Sequence, residues 1–492
     1  MEPNRRQFLE TSALCGAGSL LGLFPAVRAE EARVDRETVR FRPEIEPLVR
    51  LLEDTPRERL LEEIGARIKA GLGCRDVTAA LLLAGIRNIQ PRPVGFKFHA
   101  VLVVNSAYMA SLNSPDADRW LPIFWALDQF KMSQARDMAE GDWTMEAVRE
   151  AAVPAADKAA AAFTAAMDRW DIAGADSAAA GLARGPDAQA IFDLLCRYGA
   201  RDYRDIGHKA IYVANSWRTL QTIGWQHAEP VLRSLAYALL AHQGKNPATR
   251  DSPADRPGRV NQERSREIRD SWLGGTRDAA VTREMLATLR AGSWNDASRK
   301  VVDLINRGSG PLALWDAMFQ ASAELLMRRP GIISLHACTT TNALHFAWRH
   351  SSDDETRRFL LLQNASFLPY FREDAGSEGG VEIDGFEPLE DEPAGIGGIF
   401  ADLTNDRLRA ARKALAYFKA GGDPKAFTDA AQRLIYLKGR DSHDYKFSSA
   451  IIEDHQSLPP GLRERFLAAS VFWLKGSDAA ENPLVARSRA AL

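Results

Sequence analysis

Three histidines in this chain each open an apolar run of helical character and are followed, about two turns later, by an asparagine and a small residue. They are His99 with Asn105 and Ser106, His208 with Asn215 and Ser216, and His336 with Asn342 and Ala343. The interval is six residues in the first and third cases and seven in the second. A fourth segment, Asp441-Ser442-His443-Asp444-Tyr445-Lys446-Phe447, sets a histidine three residues before a lysine. On a helix that spacing puts both side chains on one face. Neutral imidazole offers a nitrogen lone pair at working pH, which makes histidine the commonest metal ligand among side chains. Four histidines from four helices can converge on one ion inside a helical fold, as in bundle metal sites. The competing reading is that each is a core histidine satisfied by a backbone carbonyl and a neighbouring side chain. The asparagines would then cap helices or tie them together, and Lys446 would be a solvated or ion-paired lysine. Spacing alone leaves both readings open. The other five histidines, His227, His242, His345, His350 and His455, lie in less distinctive contexts and read as surface or supporting residues. Of these, His242 is the first substitute should one of the four assignments fail.

The elements that must position these residues read as helices. Leu60, Leu61, Ile64, Ile68 and Leu72 form one stripe at helical spacing, and Leu232, Leu235, Leu239 and Leu240 form another. The Ala-rich stretch 151–166 points the same way, and few segments alternate as a half-buried strand requires. The fold class is therefore all-α, a single large multi-helical domain with the histidines meeting in a central cavity. Three segments interrupt the pattern. Residues 243–264, dense in Pro, Asn, Asp and Arg, read as a solvated connection. Residues 373–398 are acidic and Gly-rich and read as a lid or a disordered insertion. Residues 174–187 read as an Ala/Gly-rich joint. None resembles a tether between independent domains, so residues 30–492 are expected to form one helical domain. The segment 124–131, with Phe124, Trp125 and Phe130, reads either as pocket lining or as a core helix with Asp128 and Lys131 paired on its outer face. Core packing is the favoured of the two.

Compartment follows from the first 29 residues. Arg5-Arg6-Gln7-Phe8-Leu9 precedes a weakly apolar run over 11–27 and the small-residue end Val27-Arg28-Ala29. This is the pattern of a twin-arginine signal peptide, too short and too rich in small residues for a membrane anchor. It predicts a periplasmic or secreted protein handed to the twin-arginine export machinery already folded. After processing, Cys74, Cys196 and Cys338 are left, an odd and scattered set that argues against a disulfide framework. The net charge of -2, with signs interspersed, argues against a nucleic-acid partner and against a basic membrane-binding face. A small molecule is the partner that composition leaves.

At the histidine segments the sequence resembles the questin oxidase-like family. The portions that carry the resemblance are His336-Ala337 with Asn342-Ala343-Leu344, then Gly207-His208-Lys209-Ala210-Ile211-Tyr212, and His443-Asp444-Tyr445-Lys446. It spans 76–472, most of the mature chain. That family is associated with oxidative cleavage of polyketide-derived anthraquinones. Some members are described as Baeyer-Villiger-type oxidases, and one is understood as a nonheme iron dioxygenase with four histidines and a carboxylated lysine. The resemblance implies His99, His208, His336 and His443 as metal ligands and Lys446 as the modified lysine. A carbamate on Lys446 requires a neutral amine, hence desolvation or a neighbouring cation. Each ligand histidine should donate its other ring nitrogen to an acceptor, for which Asn105, Asn215, Asp205 and Asp444 are near in sequence.

The expected function is a metal-dependent oxidoreductase, with Fe(II) as the first choice of ion, using dioxygen to oxygenate or cleave an aromatic or quinone-like compound. Any need for a reductant such as NADPH is left open. The alternatives are a Zn-dependent hydrolase built on the same ligands, and a helical binding protein without chemistry.

Overall fold

The computed structural model describes residues 38–376, 380–389 and 395–492. The expected signal segment lies outside them, as do 377–379 and 390–394. The described residues form one packed, all-α domain without a strand. Their only β-type pairings are two isolated bridges, Thr38 with Glu146 and Thr276 with Ser309. Among the described residues no helix is long and apolar enough to cross a membrane.

The axis of the fold is the helix Ile332–His350, buried without a break from Ser334 to Trp348. A helix apolar or small on all sides belongs in the interior. Around it pack Pro311–Arg328, Asp354–Ala375, His208–Ile223 and Ser442–Asp454. The helix Val104–Leu112 touches both His208–Ile223 and Ser442–Asp454, which closes a ring of four helices. Each member carries one of the four histidines near its N-terminal end: His208 and His443 in the first turn, His336 one turn in, and His99 in the short helix just before Val104–Leu112. The short helix His99–Leu102 leads directly into Val104–Leu112. Arg57–Lys69 is an amphipathic outer helix that buries Leu60, Leu61 and Ile64, whereas Ala228–Leu239 is buried on nearly every side, Leu232, Leu235 and Leu239 included.

The three expected interruptions resolve differently. Of residues 174–187 only 184–187 form a joint, between the helices Ile172–Ala183 and Ala188–Gly199; the rest belongs to the first of these. Its glycines serve packing, since a Cβ at Gly181 would lie 2.8 Å from the Pro154 carbonyl oxygen. Residues 243–264 end in a helix, Arg256–Arg264, because Pro257 falls in the first turn, where a missing N–H costs nothing. In the third segment the helix Asp354–Ala375 stops at Gly376, which takes the left-handed conformation of a C-terminal stop. Residues 380–389 are then pinned to the body. Ile383 and Phe386 are buried, the Ile383 N–H donates to Glu324, and Arg465 donates to both of their carbonyls. The segment 124–131 is core, with Phe124, Trp125 and Phe130 buried in the helix Leu121–Glu140. Asp128 and Lys131 do not pair with each other. Asp128 accepts a bidentate contact from Arg57 at 2.7 and 2.8 Å, and Lys131 donates to the carbonyls of Leu52 and Glu53. Cys74, Cys196 and Cys338 are free buried thiols.

Candidate metal centre

His99, His208, His336 and His443 lie together, each offering one ring nitrogen, with those nitrogens all within 4.8 Å of one another. His208 and His336 are buried, while His99 and His443 keep partial access to solvent. Such a cluster could hold a metal ion.

Local backbone sets the direction of each ring. His99 follows a 3-10 turn, Phe96–Phe98, in which Phe96 has φ +48° after Gly95 at +136°. The His99 Nδ1–H donates to the Phe96 carbonyl at 2.8 Å. The same device precedes His208. Asp205, Ile206 and Gly207 take φ of +52°, +46° and +81°, and the His208 Nδ1–H donates to the Asp205 carbonyl. Left-handed non-glycine residues cost about 1–3 kcal/mol each and persist where the surroundings over-determine them. Here the strain turns a carbonyl toward a histidine. Gly207 is also confined sterically, since a Cβ there would fall 2.0 Å from Thr340 Oγ1 on the helix that carries His336. The His336 Nδ1–H donates to the Ile332 carbonyl, one turn back, at 2.7 Å. His443 donates instead to a side chain, Asp441 Oδ1, at 2.5 Å. Asp441 is also the N-cap of Ser442–Asp454 and closes a capping box with Asp444.

A carbonyl oxygen can only accept, so the proton on three of these rings sits on Nδ1 and the lone pair on Nε2. The Nε2 atoms then face one another, His208 to His99 at 2.9 Å and His336 to His208 at 3.0 Å. Neither partner has a hydrogen to share in that tautomer, so the contact is lone pair against lone pair. Protonation offers little relief. Burial, and then the positive charges of Lys446 and the neighbouring histidines, hold His99, His208 and His336 well below the ordinary histidine range. The His443 Nε2 is buried without a hydrogen-bond partner. Lys446, one turn along the same helix face, is 3% exposed, and its Nζ has no hydrogen-bond partner either. Burial pushes its pKa down to about 7, opposed only by Asp441. His99, His208 and His336 therefore present neutral nitrogen donors converging on one point, with the His443 ring and a buried amine beside them.

The supporting contacts differ from those expected. Asp205 acts through its backbone carbonyl, not its carboxylate. Asp444 accepts from the backbone of Arg440 and pairs with Lys475, and so does not touch the rings. Asn215 and Asn342 clamp helices. Asn215 donates to the Leu102 carbonyl at 2.9 Å, and Asn342 donates to Glu453 and Asp454, both at 2.9 Å. Arg218 binds Asn215, Asn342 and Glu453, tying together three of the histidine-bearing helices. Asn105 is buried and makes no contact to a ring. Asp441, Phe96 and Ile332, the acceptors actually used, were not singled out from sequence. Asp441 was recoverable from its position as a capping residue three before Asp444.

The remaining histidines stay out of the cluster. His242 packs edge-on against Trp170, with ring centroids 5.3 Å apart, so it replaces none of the four. His345 is not at the surface. It is enclosed by Trp315, Phe319 and Trp348, and burial lowers its pKa to about 3. His227 and His455 are buried as well, and His350 donates to the Phe346 carbonyl.

No family model matches the chain, and neither a curated protein nor a solved structure matches it.

Proposed function

We propose that the protein is a nonheme iron oxidoreductase that uses dioxygen to oxygenate or cleave an aromatic or quinone-like small molecule. The observation that carries the reading is the convergence of the histidine Nε2 atoms, with Nδ1 already committed on every ring. The Nε2 atoms of His99, His208 and His336 stand 2.9 and 3.0 Å apart, close enough to share one ion, and the preference for iron rests on the oxygen chemistry proposed. The redox chemistry of oxygen activation would be supplied by the bound iron.

The chain's own residues would do the rest. Phe96, Asp205, Ile332 and Asp441 would fix the ring tautomers, and His99 and His443, the two partly exposed rings, would lie on the substrate's side. Lys446 is the residue we assign as an anionic ligand after carboxylation. Its amine nitrogen bonds to carbon dioxide, one proton leaves to solvent, and a carbamate results. That anion would offset the charge of the ion among four neutral rings. The Arg5-Arg6 pair supports export in the folded state, which suits a protein that must acquire its ion before crossing a membrane.

The test is dioxygen uptake by the iron-loaded protein with 1,8-dihydroxyanthraquinone as a probe of the substrate class. Uptake coupled to loss of the quinone chromophore, abolished in Lys446→Ala, is the expected result. Hydrolytic products without uptake, or full activity with zinc in place of iron, would overturn the reading.

A further inference from the structure

A cavity of about 790 Å³ lies between the Ala156–Arg169, Ala188–Gly199 and Arg256–Arg264 helices and the turns around 247–251. None of the four clustered histidines lines it, nor does Lys446. Its volume is that of a small-molecule site, which spans roughly 300–1,000 Å³. Trp170, Leu194, Tyr198 and Phe359 give it an aromatic and apolar wall.

The charges in the wall are unequally satisfied. Asp251 is held by Arg256 and Arg259, Asp255 by Arg204, and Asp168 accepts the Tyr198 hydroxyl at 2.9 Å. Arg197 is committed to Asp353 and Thr356. Glu355 stands exposed at the rim. Two arginines differ. Arg250 hydrogen-bonds only to the Gln243 carbonyl. Arg201 lies flat over Trp170, 3.9 Å from the ring centroid, and donates to the carbonyls of Met167 and Leu239. Its Nε–H is buried without an acceptor. The nearest carboxylate, Asp202 at 3.9 Å, is already shared with Arg204 and Lys209. The Arg201 side chain keeps 20% exposure and has no carboxylate within hydrogen-bonding distance, so an anionic guest in the cavity would meet an unpaired guanidinium charge.

We propose that this cavity is a ligand site independent of the metal centre, and that it takes a planar aromatic anion, a carboxylate or sulfonate. The ring system would lie against Tyr198, Phe359 and Leu194, with the acid group reaching Arg201 and Arg250. Fluorescence titration of the full chain with 8-anilinonaphthalene-1-sulfonate tests this, with the uncharged N-phenyl-1-naphthylamine as comparison. Saturable binding of one equivalent is expected, with the uncharged analogue weaker by about tenfold or more. Two variants at exposed positions keep the fold out of the question. Ala248→Trp, which fills the cavity, and Arg250→Ala should each weaken binding by about tenfold, and Lys446→Ala should leave it unchanged. Equal binding of the two probes, indifference to Ala248→Trp, or loss of binding in Lys446→Ala would each overturn the proposal.

Discussion

A histidine whose Nδ1–H is spent on a carbonyl has one lone pair left, on Nε2, and several such lone pairs facing one point repel until a cation separates them. This is why the cluster reads differently from four core histidines, each of which would find a donor as well as an acceptor. The acceptors behind the rings should matter nearly as much as the rings. Asp441→Asn keeps the helix cap and weakens only the grip on His443, so metal affinity should fall by about 10–100-fold with little change in stability. Asp441→Ala loses the cap too and should cost about 1 kcal/mol in addition. Titration of metal binding beside urea denaturation separates the two effects. A loss of stability in the Asn variant equal to that in the Ala variant would count against the assignment. Gly207 offers a sharper case. Alanine there is strained at φ +81° and collides with Thr340, so Gly207→Ala should destabilise by about 2 kcal/mol or more. An unchanged denaturation midpoint would mean the turn before His208 is not built as described.

At the scale of elements, four helices bring their N-terminal ends to one place, and three of them are clamped about two to three turns further along. Arg218, Asn342, Glu453 and Asp454 form that clamp, and Asp454 is fully buried, with burial and Glu453 pushing its pKa well up. Removing the amide in Asn342→Ala leaves Asp454 without its donor and should cost about 1–3 kcal/mol in equilibrium unfolding. If the variant unfolds like the wild type, the network is not what holds the helices in register. The recurring His-to-Asn interval was readable in the sequence, but its meaning was not. An interval of seven residues returns the asparagine to the histidine's face of the helix, which invites the guess that Asn215 supports its ring, while an interval of six turns it about 120° away. Only the packing shows that Asn215 and Asn342 reach across to neighbouring helices. The acceptors for Nδ1 were hidden for a related reason: two are carbonyls exposed by left-handed turns, and sequence signals a glycine at such a turn more clearly than it signals Phe96 or Asp205.

For the whole molecule, helical class was plain from the 3.6-residue stripes and the lack of alternation, and the same logic misjudged 174–183 and the 256–264 end of 243–264. Small residues and an early proline look like breaks, yet both are compatible with a helix when the glycines meet a neighbour closely and the proline falls in the first turn. A centre joining four helices of the interior should be felt by the entire fold. An ion present at about 1,000 times its dissociation constant adds about 4 kcal/mol, or about 4 °C in Tm for a domain of this length. Chelation should remove that increment and iron should restore it; a Tm indifferent to both would place the histidines outside any metal site. The most direct measurement is elemental analysis of the purified full chain beside His336→Ala and Lys446→Ala. The account predicts one iron per chain in the wild type, lost in His336→Ala and reduced in Lys446→Ala. Stoichiometric zinc would contradict the iron assignment, and the absence of metal from all three would contradict the centre itself.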